Sequence, residues 1–158
     1  MKADYVLLRF GELTLKGKNR SQFERKVMEH VQRVLQPFTG IHIEKTHDRI
    51  YIQLNGAPYD EIARQLQKVF GLASFSPVRK CGLDLQQIRE TALAVMRELD
   101  PFPATFKVRV KRAYKLFAHT SQEMNHLVGS YILANSPGLK VDVHAPQVEL
   151  RIEIREEG

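Results

Sequence analysis

The sequence predicts an α/β (α+β) protein built from two small units, a β-α-β-β-α-β unit followed by an α-β-α-β-β unit. Segments in which apolar residues recur with period two alternate along the chain with segments of helical period. Gly, Pro and Asn cluster between these segments, as expected for turns. The chain has 158 residues, of which 43% are apolar, and this is enough to bury the core of one ordinary domain or two small ones.

The first unit, residues 1–80, begins with an apolar strand at 4–10. A helix is predicted over 19–38, because its apolar residues recur at helical spacing. Asn19 begins it in a capping-box-like pattern, and Pro37 marks its end. These features predict a strand–helix pair at the start of the unit.

A hairpin and a second helix complete the first unit. The segments 41–44 and 49–54 alternate with period two and are separated by a short polar turn. A helix follows over 59–70, with Phe70 as the last residue of its apolar face, and the run 72–78 predicts the fourth strand. The resulting order is that of the split-βαβ, ferredoxin-like arrangement.

The second unit, residues 81–158, contains two helices with clear starts. Asp84 precedes one helix, and Thr120 with Glu123 matches the capping box at the start of the other. Its predicted elements are a helix over 85–99, a strand beginning at Thr105, a helix beginning at Thr120, and strands at 140–143 and 148–155.

Charge is distributed unevenly between the units. The net charge is +6 and the isoelectric point about 9.5, which favours nucleic acid as a partner. Residues 1–80 hold 14 Lys and Arg against 8 Asp and Glu, whereas residues 81–158 hold 10 of each.

The chain has a single cysteine, Cys81, so a disulfide framework within the chain is ruled out. A structural role is favoured for Cys81, and the lack of disulfides favours a reducing, cytoplasmic compartment. The sequence also contains no secretory signal and no apolar run long enough to span a membrane.

The stretch 105–118 concentrates five Lys or Arg without one Asp or Glu. In a strand, Lys107, Arg109 and Lys111 share one face at a spacing of roughly 6.6 Å. Such a row can follow a sugar–phosphate backbone, and the start of the next helix would add a phosphate cradle. A solvated strand face is the alternative interpretation.

The loop "GELTLKGKN" near the N-terminus carries glycines and lysines but does not match a nucleotide P-loop. Five residues separate Gly11 from Gly17, and Asn19 stands where a hydroxyl should contact magnesium. We interpret the loop as a second patch of phosphate-binding cations at a helix start. Glycines that serve only turn geometry are the alternative.

No catalytic constellation is found in the sequence. His119, His126 and His144 lack the spacing of zinc ligands, and no nucleophile elbow or dinucleotide fingerprint occurs. His119 is a candidate for phosphate contact or base stacking, or else a surface histidine. Aromatic residues are few, and Phe106 belongs to the predicted core, so a base-stacking platform of the RNA-recognition-motif kind is not supported. The sequence therefore favours contacts with phosphate, sugar and shape.

Four motifs, "GELTLKGKNR", "FGLASFSPV", "TFKVRVKRAYKLFAHTSQEMN" and "LKVDVHAP…VELRIEIR", occur in this order along essentially the whole chain. Together they resemble the N-terminal half of the tRNA 4-thiouridine synthetase (tRNA sulfurtransferase) family. The resemblance implies a ferredoxin-like domain over 1–80, followed by a THUMP-type small α/β domain over 81–158 that lacks a closing strand. It also implies a grip on the acceptor stem and 3′ end of tRNA.

In that family the chemistry resides in a separate catalytic domain, and its signature "SGGxDS" is absent from these 158 residues. The resemblance implies that ATP and Mg²⁺ act in that domain and that this segment binds no cofactor and no metal. It further implies a desulfurase as sulfur donor, a possible homodimer, a link to thiamine biosynthesis, and a chain that is a fragment or stand-alone form. The RNA-binding candidates are Lys16, Lys18, Arg20, Lys107, Arg109, Lys111, Arg112, Lys115, His119, Ser121, Asn125, Lys140 and His144.

Two other functions remain open at this point. A ferredoxin-like module could bind a small anion or a protein partner through its basic surface. A stand-alone THUMP adapter could serve another RNA-modifying enzyme. Both alternatives use the same cations, so they differ from the first hypothesis in the ligand and not in the site.

Overall fold

The computed structural model describes residues 2–10, 18–46 and 49–158, with the side chains of the first helix described from Arg20 onward. The chain divides into two compact units, 1–80 and 81–158. Helices and strands occur in the predicted order, so the α/β class is confirmed. None of the helices in these ranges is long and apolar enough to cross a membrane.

The first unit is a four-stranded sheet with two helices. The strands are hydrogen-bonded in the order β2-β3-β1-β4, and every neighbouring pair is antiparallel. This is the predicted ferredoxin-like arrangement. Its elements are β1 (Tyr5–Phe10), α1 (Lys18–Val34), β2 (His42–Lys45), β3 (Arg49–Gln53), α2 (Tyr59–Leu66) and β4 (Leu72–Val78).

Both helices of the first unit contribute to one core. Val6 and Leu8 of β1 and Ile52 of β3 are fully buried, and they share a cluster with Val31 of α1 and Ile62 of α2. Because side chains alternate along a strand, the residues between them point to the opposite face of the sheet. Helix α1 begins at Lys18, so Asn19 lies in its first turn and is not the cap that the sequence predicts.

The prediction for Phe70 is wrong. Helix α2 ends at Leu66, so the helical period does not reach Phe70, and this side chain is 80% exposed. Gly71 follows with φ +98°, and a Cβ there would lie 2.7 Å from Val27 Cγ2. The close approach of the Gly71 backbone to α1, and not the phenyl ring, fills this part of the core.

The second unit is a parallel three-stranded sheet in the order β6-β5-β7. Phe106, Val108 and Val110 of the central strand are buried against a cluster that includes Met124 and Val128. The elements are α3 (Leu85–Arg97), β5 (Thr105–Arg112), α4 (Ser121–Ala134), β6 (Lys140–Val141) and β7 (Val148–Ile154).

Both predicted helix caps of the second unit are confirmed. Asp84 Oδ2 accepts the Gln87 N–H at 3.1 Å. Thr120 Oγ1 accepts the Glu123 N–H at 3.1 Å, and Glu123 Oε1 accepts the Thr120 N–H at 3.3 Å, which completes a capping box. Each cap satisfies amides that the first turn of a helix cannot pair internally.

Strand β6 is shorter than the predicted 140–143. Asp142 Oδ1 accepts the backbone N–H groups of His144 and Ala145, both at 3.0 Å. These bonds turn the chain immediately after Val141, because an Asp side chain that bonds to the backbone two or three residues ahead competes with the strand ladder.

Candidate nucleic-acid interface

The outer face of β5 carries the predicted row of cations. Phe106, Val108 and Val110 are buried on one face, and the alternation of side chains places Lys107, Arg109 and Lys111 on the other. Arg109 and Lys111 are exposed, and Lys107 is partly buried. The structure therefore brings these three side chains to one surface.

The neighbouring strand β7 places acids beside this row. Arg109 Nη1 lies 3.6 Å from Glu149 Oε1, and Arg151 Nε lies 3.5 Å from the same oxygen. The face is thus mixed in charge, which corrects the picture of an uncompensated basic strand. The sequence of β5 alone could not reveal this, because the acids come from a strand about forty positions later whose register is set by the fold. Opposite residues in the parallel register are Lys107 and Glu149, Arg109 and Arg151, and Lys111 and Glu153.

Arg112 is held by the loop that follows β5. Its Nη1 donates to the carbonyl oxygens of Phe117 at 3.2 Å and of His119 at 3.4 Å. One guanidinium therefore ties the far half of the loop, next to α4, to the end of the strand. Arg112 positions the loop, and Lys115, whose Nζ lies 3.4 Å from the Arg112 carbonyl oxygen, remains exposed.

The same loop is bonded to the end of β7. The N–H groups of Ala113 and Tyr114 both donate to the carbonyl oxygen of Ile154 at 2.9 Å. Ile154 is itself 1% exposed. The basic loop is consequently an ordered extension of the sheet.

The start of α4 already contains an anion. The pKa of Glu123 is lowered by the Thr120 backbone N–H, then by the Thr120 hydroxyl and by His119. His119 Nδ1 lies 3.4 Å from Glu123 Oε2. The carboxylate therefore occupies part of the phosphate cradle that the sequence predicts, and Ser121, partly buried, stands in the first turn beside it.

Asn125 has a structural role that the sequence does not reveal. Its Oδ1 accepts the Val110 N–H at 2.9 Å. Strand β6 pairs with β5 only at Thr105 and Phe106, so the edge of β5 beyond that point requires another partner. The Asn125 amide supplies it and joins α4 to β5.

Lys140 and His144 lie at the opposite end of β5. Lys140 pairs with Thr105, and Lys107 Nζ lies 3.5 Å from the carbonyl oxygen of Val143. The eight residues of β5 span roughly 23 Å. We name Lys111, Arg112 and Lys115 the loop-side cations and Lys107 and Lys140 the turn-side cations, because the strand separates them. The pKa of Asp142, beside His144, is lowered by the N–H groups of Ala145 and His144.

The predicted patch at the start of α1 belongs to the first unit. Arg20 Nε lies 3.0 Å from Glu24 Oε1, and Lys45 Nζ lies 2.9 Å from Glu24 Oε2. Burial works to raise the pKa of Glu24, but the bonds from Lys45 and Arg20 prevail and lower it. Arg20 is thus engaged in a structural ion pair. Lys16 and the side chain of Lys18 lie outside the described residues.

Within residues 2–10, 18–46 and 49–158, no group of three or more His, Cys, Asp or Glu side chains is placed to hold a metal ion. His126 is exposed on α4, and Cys81 is partly buried against the second core.

Comparison with known proteins assigns both units. The family model of the ThiI ferredoxin-like domain matches residues 5–76, and that of the THUMP domain matches residues 83–158. A probable tRNA sulfurtransferase of Geobacillus kaustophilus is 46% identical over 158 residues, and one of Listeria monocytogenes is 39% identical over the same length. Both matches cover all of this chain, which spans 39% of the length of these curated relatives.

Solved structures of related proteins also match nearly the whole chain. A crystal structure of a 4-thiouridine synthetase–RNA complex with bound ATP matches 99% of this chain and 40% of that chain, with a TM-score of 0.77 and 32% identity. PH1313 from Pyrococcus horikoshii matches 97% of this chain and 51% of its own, with a TM-score of 0.75 and 31% identity. TrmN from Thermus thermophilus, at 19% identity and a TM-score of 0.55, shares the fold.

Proposed function

Since the chain belongs to the family that joins a ThiI ferredoxin-like domain to a THUMP domain, we propose that it is the tRNA-binding part of a tRNA sulfurtransferase that makes 4-thiouridine in tRNA. It grips the acceptor stem and 3′ end. It positions the target uridine for a separate, ATP-dependent catalytic domain. The domain boundary lies between Lys80 and Cys81.

The observation that carries this proposal is the ordered basic loop at the end of β5. Lys111 and Lys115 are exposed, while the Arg112 guanidinium holds the loop that carries Lys115. Cations on an ordered loop lose less side-chain and backbone freedom when they bind a phosphate than cations on a disordered one. We propose that the loop-side cations contact the duplex backbone, and that Arg109 joins them by exchanging Glu149 for a phosphate.

The other candidates have more restricted roles in this proposal. His119 and Ser121 border the loop at the start of α4. The turn-side cations with His144 reach a second segment of the backbone, with Lys107 roughly 13 Å from Lys111 and Lys140, beside Thr105, roughly 23 Å from Arg112. Asn125 supports the site through the Val110 N–H. In the first unit Arg20 is held by Glu24 and makes no direct RNA contact in this proposal. Lys16 and Lys18 are proposed as a separate set of phosphate contacts on that unit.

For the whole protein we propose the activity that its relatives' names indicate. A 4-thiouridine synthetase related to this chain was crystallised with RNA and ATP. ATP and Mg²⁺ would serve uridine activation in the part of the relatives that this chain does not cover, and a desulfurase would supply the sulfur. A homodimer and a cytoplasmic location complete the proposal.

Charge reversal at the loop tests the proposal. Lys111→Glu with Lys115→Glu should weaken tRNA binding at least tenfold at physiological salt, and should reduce the slope of log affinity against log salt by about two. The matched control is Lys26→Glu with Arg64→Glu, which makes the same change in net charge on the helices of the first unit. Equal affinities and slopes in the two double variants would reject the loop as the site.

The choice of RNA separates the alternatives. Full tRNA, tRNA trimmed at its 3′ end and a random single strand should bind in that order of decreasing affinity. A module for a small anion or an acidic protein would instead bind all three weakly, with an affinity that rises only with RNA length. A THUMP adapter for another enzyme would share the tRNA preference but would not support 4-thiouridine formation when supplied with the catalytic part.

A further inference from the structure

The first unit presents a sheet face that neither of its two helices covers. Both helices pack on the face that carries Val6, Leu8, Ile50 and Ile52. The alternate residues of β1, β3 and β4 point to the other side. We call this other side the open face.

Two tyrosines stand next to each other on the open face. The register pairs Tyr5 with Gln53 and Leu7 with Tyr51, so Tyr5 and Tyr51 are diagonal neighbours, roughly 7–8 Å apart. Both rings are partly exposed, and Leu7, at 8% exposure, forms the apolar floor beside them. Aromatic residues on the two central strands of a four-stranded sheet are the arrangement with which RNA-recognition motifs stack bases.

Two arginines border the tyrosines. Arg9 and Arg49 are direct partners across β1 and β3. Arg9 Nη1 donates to Ser76 Oγ at 2.9 Å, and Arg49 Nη1 lies 3.4 Å from the Tyr51 hydroxyl. The guanidinium groups are thereby held along the face, where planar cations can stack on a base or contact a phosphate. Among the described residues, Glu44 in β2 lies opposite Tyr51 and places an acid on this face.

A pocket of about 370 Å³ adjoins Tyr5. Tyr5 and Gln53 form one wall, and Asn55, Gly56 and Lys80 contribute to the rest. The volume lies in the range that accommodates small ligands. Its lining offers amide groups for the edge of a base, and it combines the Lys80 ammonium group with the Asp4 carboxylate, whose Oδ2 accepts the Lys80 backbone N–H at 2.7 Å.

We propose that the open face binds unpaired nucleotides of the RNA, with Tyr5 and Tyr51 each stacking on one base and Arg9 and Arg49 following the backbone. The inference rests on the proposed function, since it assigns the single-stranded part of the same RNA to the first unit. It also revises the expectation from the sequence that the chain has no base-stacking platform. Phe106 is a core residue, and the platform is formed by two tyrosines that only the strand order brings together.

The test compares two RNA probes on the full chain. The first is a fluorescein-labelled single-stranded RNA of eight nucleotides, and the second is a blunt RNA hairpin. Tyr5→Ala with Tyr51→Ala should weaken binding of the single strand at least tenfold, at about fivefold or more per lost stack, and should leave hairpin binding within twofold. Tyr5→Phe with Tyr51→Phe keeps both rings and should bind both probes as the parent does.

A second readout does not depend on affinity. The chain contains five Tyr and no Trp, so stacking should quench tyrosine emission on addition of the single strand, and the quenching should disappear in the Ala double variant. If that variant unfolds, Tyr5→Leu with Tyr51→Leu keeps apolar bulk without the ring and should show the same loss. Wild-type binding of the single strand by the Ala or Leu variants would overturn the inference, as would a loss in the Phe variant equal to that in the Ala variant.

The two proposals fail in different ways. If hairpin binding depends on Lys111 and Lys115 while the tyrosine variants change nothing, only the open-face inference is wrong. If the parent chain binds neither probe nor tRNA, both proposals are wrong. If the single strand depends on the tyrosines while the hairpin is insensitive to the loop, the loop assignment is wrong and the open-face inference holds.

Discussion

Each unit of the molecule contains a glutamate that contacts two cations, and the two arrangements differ in tightness. In the first unit, the Glu24 side chain is 9% exposed, with Lys45 Nζ at 2.9 Å and Arg20 Nε at 3.0 Å. In the second unit, the Glu149 side chain is 29% exposed, and the nearest nitrogens of Arg109 and Arg151 lie at 3.6 and 3.5 Å. The first arrangement is a hydrogen-bonded ion pair, and the second is a looser contact in which the shared oxygen, Glu149 Oε1, is buried without a hydrogen bond from the part of the chain that the structure describes.

Under the proposed function, the difference determines which cations are available to exchange a carboxylate for a phosphate. Removing both Lys45 and Arg20 from Glu24 would leave a buried carboxylate without these partners, which is costly, and removing either one would leave it with half of its ion pairs. Arg109 and Arg151, at 67% and 55% side-chain exposure, give up only a weak, screened contact when a phosphate replaces Glu149. Two glutamates with the same number of basic neighbours thus differ in their effect. Glu24 keeps its cations in a structural ion pair, whereas Glu149 leaves its cations able to move to a phosphate.

The largest expected effect concerns Glu24. Glu24→Gln should lower the free energy of unfolding by roughly 1–2 kcal/mol, less than for a fully buried pair because Lys45 and Arg20 can return to water. Urea unfolding at neutral pH measures this. Glu29→Gln, at an exposed position of the same helix, is the matched control and should change the value by less than about 0.5 kcal/mol. Equal losses of stability in Glu24→Gln and Glu29→Gln would show that the Glu24 ion pair is not structural, and the contrast with Glu149 would disappear.

The same carboxylate should make stability depend on pH. The folded-state pKa of Glu24 is lowered from its ordinary value of 4.5. The stabilisation that ionised Glu24 adds to the free energy of unfolding is therefore complete above the ordinary pKa. It is lost as pH falls towards the lowered pKa of the folded state. Thermal unfolding of the parent should show this acid loss, and Glu24→Gln should show less of it. Identical pH profiles would contradict the assignment.

An intermediate effect should separate Arg109 from Arg20. Arg109→Ala should weaken tRNA binding several-fold and reduce the salt slope by about one, the signature of one lost phosphate contact. Arg20→Ala should leave affinity within twofold, because Glu24 holds this side chain. Filter binding across a salt series provides both numbers, and a larger loss for Arg20→Ala would reverse the comparison.

The smallest expected effect is at Glu149. Glu149→Gln should change stability by less than about 0.5 kcal/mol, because the contacts of Glu149 Oε1 are long and this buried oxygen accepts no hydrogen bond from the described residues that the substitution would remove. It should raise tRNA affinity about twofold, since Arg109 and Arg151 no longer exchange a carboxylate for a phosphate. Reduced affinity in this variant would show that Glu149 orients Arg109 and does not compete for it.

Local features of the sequence predicted the elements well. The cap at Asp84 and the capping box at Thr120 involve residues three positions apart, so a short stretch of sequence contains the complete interaction. Alternation likewise placed Phe106 in the core and Lys107 outside. The order of elements followed, and with it the ferredoxin-like class of the first unit.

Features that depend on distant residues were not predictable in this way. The acids beside β5 come from β7, and the pairing of Tyr5 with Gln53 requires the strand order of the sheet. The Asn125 contact with Val110 depends on how short β6 is. A single sequence shows which faces alternate, but not which faces become neighbours.

The Ile154 carbonyl oxygen accepts the Ala113 and Tyr114 N–H groups, and these bonds should slow the hydrogen exchange of both amides. Amides of a surface loop commonly exchange hydrogen with solvent through small local openings, whereas amides bonded to a core strand must wait for a larger cooperative opening. Ala113 and Tyr114 should therefore exchange as slowly as the amides at the end of β7, so that the start of the loop opens only together with that end of the sheet.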